Sequence, residues 1–256
     1  PESILYDAKP HMGTVIMAKV VKNIHEAIIA MGGEVRFHTK VTGIRTKRSI
    51  DFSDEPALAM LHLEDTRTNI GEDLLTDVAV LAIGHSARDT FGLLNLSDIK
   101  MEPKPFAVGV RVEHPQDMID ESQYGKNAPE SLPAAAYKLT AKTKEGRGVY
   151  TFCMCPGGYV VNASSEENRL AVNGMSYSGR NGKNANSAVI VTVSPEDFPE
   201  KGILGGLAFQ RQLEEAAFAE GQGKIPVQLF GDFKKNVPSS SAGAIAPQMK
   251  GAYSWG

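Results

Sequence analysis

The sequence lacks the short motifs that usually identify a cofactor or a metal. No GxGxxG joins a strand to a helix, and GxxxxGK[ST], HExxH, GxSxG and paired-cysteine zinc spacings are also absent. The glycines of 108–110 and 156–158 stand outside the strand-to-helix context that brings a pyrophosphate to a helix N-terminus. The motifs alone therefore predict no dinucleotide site and no metal site within this chain.

Cysteine, long apolar runs and excess positive charge are also scarce. The two cysteines, Cys153 and Cys155, suit a reducing cytoplasm better than a disulfide scaffold. No run approaches the roughly 18 apolar residues of a membrane span, and the first residues lack the layout of a signal peptide. A net charge of −3 argues against nonspecific nucleic-acid binding. We expect a cytoplasmic globular protein that binds neither nucleic acid nor a membrane; the oligomeric state stays open.

The first part of the chain has an α/β pattern. Apolar spacing over 14–31 predicts an amphipathic helix that ends at Gly32-Gly33. Strands are predicted at 34–38, 41–46, 58–64 and 73–76. The apolar run Val78–Ile83 does not alternate, so we expect a strand that is buried on both faces, as in a parallel sheet.

From about residue 104 the pattern becomes β-rich. Alternating segments predict strands at 106–114, 148–154, 158–164, 170–176 and 187–193. A helix is expected over 204–220, a strand over 225–230, and a loop-like tail from Asn236. The two prolines of MEPKPF favour a boundary near residue 103, which gives domains 1–103 and 104–256.

The cysteine pair allows two interpretations. On a strand both thiols would point to the same face. They could then act as a redox pair or as half of a metal site, or they could be structural side chains. Two ligands do not close a tetrahedral zinc site, and neighbouring same-face positions strain a disulfide, so a structural role is favoured. The next turn, with Gly157 and Gly158, either admits a ligand close to the backbone or is an ordinary hairpin loop.

Other polar residues are equally ambiguous. The cluster from Asn173 to Ser176, with Arg180, is either a binding surface or plain turn chemistry. His11 is a proton donor or a solvated loop residue, and Thr14 is a plausible helix N-cap. His85 and Arg88 follow the expected buried strand, where ligands bind in open α/β sheets, although capping or ion pairing explains them as well.

Several longer strings, taken together, resemble the FAD-dependent dehydrogenases of bacteria, which are flavoproteins with two dinucleotide-binding domains. The resemblance covers essentially the whole chain. It is carried by KPHMGT (9–14), GGEVRFHTKVTGI (32–44), DVAVLAIGHSARDTF (77–91), KPFAVGVRVEHPQ (104–116), TFCMCPGGYVVNASSE (151–166), NGMSYSGRNGKNANSA (173–188) and FQRQLEEAAF (209–218).

This resemblance implies an α/β fold with a partial Rossmann-like FAD-binding domain, of the glutathione-reductase type, followed by a β-rich α+β substrate domain. Such proteins carry a glycine-rich FAD fingerprint upstream and a further FAD segment downstream. We therefore expect this chain, which starts at Pro1 without a methionine, to be a central piece that is inactive alone. The whole protein would pass a hydride between an unknown organic substrate and FAD.

The resemblance also implies roles for individual residues. Those expected near FAD are His11, Thr14, Val41, Ala82, Ile83, Gly84, His85 and Arg88. Those expected on the substrate side are Cys153, Cys155, Gly157, Gly158, Asn173, Ser176 and Arg180. The alternative function is a non-catalytic module that binds a ligand or a partner, and no catalytic residue is predicted.

Overall fold

A computed structural model describes residues 13–48, 56–97, 99–129 and 131–256. The fold is mixed α/β with several antiparallel sheets, and it divides into two units. The small unit contains the described residues of 25–104 together with 198–209. The large unit contains the described residues of 1–24 together with 105–197 and 210–256. Among the residues that the structure describes, no helix has the length and apolar content needed to cross a bilayer.

Helix α1 (Gly13–Ala30) begins in the large unit and ends in the small one. Its end is as predicted: Gly32 has a φ of 85°, which glycine tolerates, and the Gly33 N–H donates to the Ile28 carbonyl. Its start differs from the prediction, because Thr14 lies inside the first turn and therefore is not the N-cap residue.

The small unit is built on an antiparallel sheet. Its strands are β1 (Thr39–Arg48), β2 (Pro56–Asp65) and β3 (Gly71–Leu75), in the order β1-β2-β3. Helix α2 (Arg88–Leu96), which the sequence did not predict, is joined to β1 by the Lys40–Asp89 ion pair of 2.7 Å. The Rossmann-like architecture stays a prediction.

Two strand predictions in the small unit are wrong. Residues 34–38 form no strand, because the chain turns at 37–38 and His38 adopts a φ of 56°. Val78–Ile83 is irregular, and no strand of the described chain pairs with it. Its side chains are exposed, with Val78 at 78% and Val80 at 86%. Without neighbouring strands, an apolar run of this kind has no backbone hydrogen-bond partners, and its side chains are not buried in a sheet.

The large unit centres on a four-stranded antiparallel sheet. Its strands are β4 (Phe106–Pro115), β5 (Thr140–Lys142), β6 (Gly148–Cys155) and β9 (Asn184–Val193), in the order β4-β9-β6-β5. Helix α3 (Gln116–Tyr124), which the sequence pattern did not predict, follows β4 directly. The buried side chains of Ile119, Ala135 and Ala185 pack together with Tyr137 and Met154 to form the core of this unit.

Two smaller sheets complete the large unit. One has the order β11-β7-β8, from β7 (Tyr159–Asn162), β8 (Val172–Met175) and β11 (Met249–Lys250). The other pairs β10 (Ile225–Val227) with β12 (Tyr253–Trp255) in parallel. Helix α4 (Gly205–Gly221) confirms the helix expected there, although its first residues belong to the small unit.

The end of the chain corrects two further predictions. The strand expected over 225–230 stops at Val227, and helix α5 (Phe230–Lys235) follows. The tail from Asn236 was expected to be loop-like, yet it supplies β11 and β12. Both strands are too short to show a period-two pattern, and their stability depends on β7 and β10, which lie far away in sequence.

Candidate functional site

The end of strand β6 contains a bulge that separates the two cysteines. The pairing of β6 with β9 shifts register between Phe152 and Cys155. Cys153, inside the bulge, adopts a φ of 47° and is exposed, whereas Cys155 is buried. The prediction that both thiols share one face is therefore wrong, because the bulge inserts a left-handed residue into the strand.

Arg111 of β4 reaches across to this bulge. Its Nη1 donates to the Asn186 Oδ1 at 2.5 Å and to the Cys153 carbonyl at 3.2 Å. Its Nη2 donates to the Asn173 Oδ1, also at 3.2 Å. One guanidinium thereby ties together three strands and the bulge.

Asn186 is the buried part of this cluster. Its residue surface is fully enclosed, and its Nδ2 has no hydrogen-bond acceptor among the described residues. Gly174 lies directly against it: a Cβ at Gly174 would come within 2.5 Å of the Asn186 Oδ1 and 2.7 Å of the Cys155 Sγ, and closer still to the Arg111 Nη1. A side chain at position 174 would therefore have to displace these three side-chain atoms.

The turn after β6 is held by side chains from distant parts of the chain. The Gly157 N–H donates to the Gln116 Oε1 at 2.8 Å, and the Ser176 hydroxyl donates to the Pro156 carbonyl at 3.0 Å. Gln248 Nε2 donates to the Gly158 carbonyl at 2.7 Å. These bonds fix the backbone of the turn, so it offers a rigid edge beside the bulge.

Arg180 approaches the same turn through its backbone. A Cβ at Gly157, whose φ is 53°, would collide with the Arg180 carbonyl. Arg180 itself adopts a φ of 47°, and its Nε is buried without an acceptor among the described residues. Left-handed conformations at residues other than glycine cost free energy and concentrate at functional sites.

The structure therefore brings the seven residues expected on the substrate side into one region of the large unit. We name this region the bulge site and define it as those seven residues with Arg111 and Asn186. The seven are Cys153, Cys155, Gly157, Gly158, Asn173, Ser176 and Arg180. Sequence reasoning missed Arg111 and Asn186, although an arginine between Val110 and Val112 of an apolar strand was a usable signal.

Burial changes the acid–base properties of groups around the bulge site. It raises the pKa of the Cys155 thiol, which keeps that thiol protonated. It likewise raises the pKa of the Tyr137 phenol and lowers that of His114, whose Nε2 lies 2.5 Å from the Tyr137 Oη. Both members of this pair are thus held in their neutral forms.

The residues expected near FAD fall mainly in the small unit. Val41 lies in β1, half-buried, next to Thr42, whose Oγ1 is buried without a partner in the described chain. Arg88 is buried at the start of α2. Thr14 is exposed in the part of α1 that belongs to the large unit, and His11 lies outside the described residues.

The segment Ala82–His85 has properties that fit a cofactor close by. Gly84 has a φ of 68°, and a Cβ built on it would meet nothing within 4 Å. The segment has no strand neighbour in the described chain and precedes α2, which is joined to β1. The backbone at Gly84 is therefore open to a ligand, and the Thr42 hydroxyl, elsewhere in the same unit, has no partner among the described residues.

Metal binding has no such support. Within the described ranges, no three His, Cys, Asp or Glu side chains come together as a metal ion would require.

Comparison with known proteins places the chain in the class of FAD-dependent proteins, since a family of that class matches residues 105–256, which is more than half of the chain. The chain belongs to the family described as FAD-dependent protein, C-terminal domain-like. A protein of Clostridium beijerinckii, described as an uncharacterized protein, is 47% identical over 257 residues. That similarity covers 99% of this chain, and the chain spans 46% of the length of that relative.

Proposed function

We propose that the chain is the central part of an FAD-dependent oxidoreductase. In this proposal domain 1–103 is a portion of a Rossmann-like FAD-binding domain, and domain 104–256 holds an organic substrate at the bulge site. The glycine-rich fingerprint for the pyrophosphate is supplied by sequence outside this chain, since no such motif occurs within it. The cytoplasmic location stays a prediction.

The observation that carries the proposal is the convergence at the bulge site. Residues separated by up to 75 positions, Arg111 and Asn186, are joined by a hydrogen bond of 2.5 Å. Around them lie the residues that the family resemblance assigns to the substrate side. Strained backbone next to a cation, amides and a thiol lowers the stability of the folded chain, and such strain concentrates at sites that bind a ligand.

In the small unit, the proposal assigns FAD to the segment Ala82–His85, with Val41, Thr42 and Arg88. Bound FAD would accept or return a hydride, which is the chemistry that the protein's own side chains do not supply. The chain's own residues would bind and orient the cofactor: Gly84 lets a ligand come close to its backbone, and Thr42 offers a hydroxyl that has no partner among the described residues. In the large unit, the bulge site orients the substrate through its fixed turn and guanidinium.

The proposal is tested first by colour. The full-length protein, purified from its host, should show the visible absorption bands of a flavin, whereas the 256-residue chain should be colourless. A full-length protein without these bands would instead favour the alternative, a non-catalytic binding module. A stoichiometric yellow colour in the chain alone would contradict the assignment of the phosphate site to sequence outside it.

A matched pair of glycine variants tests the cofactor side. Gly84 and Gly32 both have positive φ values, 68° and 85°, and both have open space where a Cβ would be. Alanine at either position therefore carries a similar backbone cost, of order 1 kcal/mol. In the full-length protein, Gly84→Ala should lower the flavin content and Gly32→Ala should leave it unchanged. Equal flavin content in the two variants would refute a close approach at Gly84.

A further inference from the structure

We infer that the ligand of the bulge site carries an anionic group, in the simplest case an organic carboxylate, that pairs with the Arg111 guanidinium. The inference rests on the proposed function, because it names the chemical class of the substrate at that same site. Two observations support it: Arg111 has only neutral hydrogen-bond partners, and N–H groups of the site lack acceptors among the described residues.

The charge of Arg111 has no carboxylate partner in the part of the chain that the structure describes. Its three hydrogen bonds go to neutral oxygens: the Cys153 carbonyl and the amide oxygens of Asn173 and Asn186. Other arginines of the large unit do have carboxylate partners; Arg147, for example, contacts Asp197. A half-buried cation whose hydrogen-bond partners are all neutral gains free energy from an anionic ligand.

The bulge site contains buried N–H donors that no acceptor of the described chain satisfies. Asn186 Nδ2 is buried without an acceptor among the described residues, and so is Arg180 Nε. The orientation of the Asn186 amide is fixed, because its oxygen must face the guanidinium, which can only donate. A carboxylate brings two oxygens and four lone pairs, all of them acceptors, so it suits the Arg111 guanidinium, which can only donate.

The guanidinium is both fixed and reachable. Asn186, with no exposed surface, holds Arg111 from the interior, and Gly174 leaves no space for it to move inward. On the outer side its partners Cys153 and Asn173 are exposed. A ligand can therefore approach from the side of Cys153 and meet a cation that is already oriented, which lowers the entropy cost of binding.

The experiment uses Cys153 as a reporter in the full-length protein. N-Ethylmaleimide, which is uncharged, modifies exposed thiols, and mass spectrometry of the peptide that contains Cys153 gives the rate. Two probes of equal shape are compared: benzoate, an anion, and benzamide, which is neutral. Benzoate should protect Cys153 at a concentration at least about tenfold lower than benzamide, since hydrogen bonds to charged groups are the stronger ones.

Variants show whether Arg111 is responsible. Arg111→Gln, which keeps a donor but loses the charge, should abolish the preference for benzoate. Arg147→Gln, the matched control in the same unit, should retain it. If Arg111→Gln does not fold, the salt dependence of the wild-type protein provides the test. Raising NaCl from about 0.05 to about 1 M should weaken the protection of Cys153 by benzoate several-fold and leave the protection by benzamide unchanged.

Three results would overturn the inference: no protection by benzoate, equal protection by both probes, or a benzoate preference that survives in a folded Arg111→Gln protein. The visible absorption of the same sample separates this inference from the proposed function. Charge-dependent protection in a protein without flavin would refute the oxidoreductase proposal and support an anion site. Flavin bands without charge preference would refute the anion site alone.

Discussion

Replacing Gly174 with alanine should disrupt the bulge site from within. The added Cβ would lie 2.5 Å from the Asn186 Oδ1 and 2.7 Å from the Cys155 Sγ, where ordinary contacts are 3.4–4 Å. Overpacking of this kind costs about 1–3 kcal/mol. Because the displaced Arg111 would also lose its charged hydrogen bond, worth about 1.5–3 kcal/mol, we expect the free energy of unfolding to fall by about 2.5–6 kcal/mol in total.

Urea unfolding monitored by the fluorescence of Trp255, the single tryptophan of the chain, measures this change in the large unit. Gly148→Ala is the matched control, because it also lies in a strand of the large unit and its Cβ would meet only the Thr192 Oγ1, at 3.7 Å. The control should change the free energy of unfolding by less than about 1 kcal/mol. If Gly174→Ala is no more destabilising than Gly148→Ala, the packing of Arg111 and Asn186 against Gly174 is not as described.

Three further predictions concern the surroundings of the site. Gln248→Ala should lower the free energy of unfolding by about 2–3 kcal/mol, measured by urea titration, because its side chain bonds the Gly158 carbonyl and other buried backbone. The Arg147 guanidinium holds the pKa of Asp197 well below its usual range, so the folded chain binds fewer protons there than the unfolded chain. The stability from this pair is present above about pH 4 and is lost as the pH falls further, so Arg147→Gln should flatten the acid loss of stability seen by circular dichroism between about pH 5 and 2. Finally, Cys153 should react with iodoacetamide at least about tenfold faster than Cys155, as followed by mass spectrometry, because burial encloses the second thiol and raises its pKa.

Each of these three predictions has an outcome that would contradict it. Gln123→Ala, on the exposed side of α3, should change stability by less than about 0.5 kcal/mol, and a similar loss for both glutamines would contradict the role of Gln248. An acid profile of Arg147→Gln that matches the wild type would contradict the pairing with Asp197. Equal alkylation of the two cysteines would mean that the bulge does not expose Cys153.

Secondary structure was predictable wherever the pattern was long. The helix at 14–31 and the strand at 106–114 each contain a full apolar repeat, and the structure has them as Gly13–Ala30 and Phe106–Pro115. The short strands of the tail were missed because two or three residues carry no period. Val78–Ile83 was misjudged for a different reason: its composition favours a buried strand, but a strand also requires neighbours, and the described chain provides none.

The candidate site was predictable in part. The family resemblance selected residues over 153–180, and the structure brings them together. It could not find Arg111, because the three oxygens that Arg111 contacts lie 42, 62 and 75 positions away. The two-residue period of a strand placed both thiols on one face, which was wrong because a β-bulge leaves no clear mark in a sequence.

The sequence by itself determined the long helices and strands, the β-rich character of the second part, and the kinship with FAD-dependent proteins, because periodicity and shared strings are local properties. Only the tertiary structure decided which residues share a site. Register across β4, β9 and β6 places Arg111 beside Asn186, and one shifted position in β6 turns Cys153 outward while Cys155 stays buried. Hydrogen bonds between strands set that register, and they join residues that no local pattern connects.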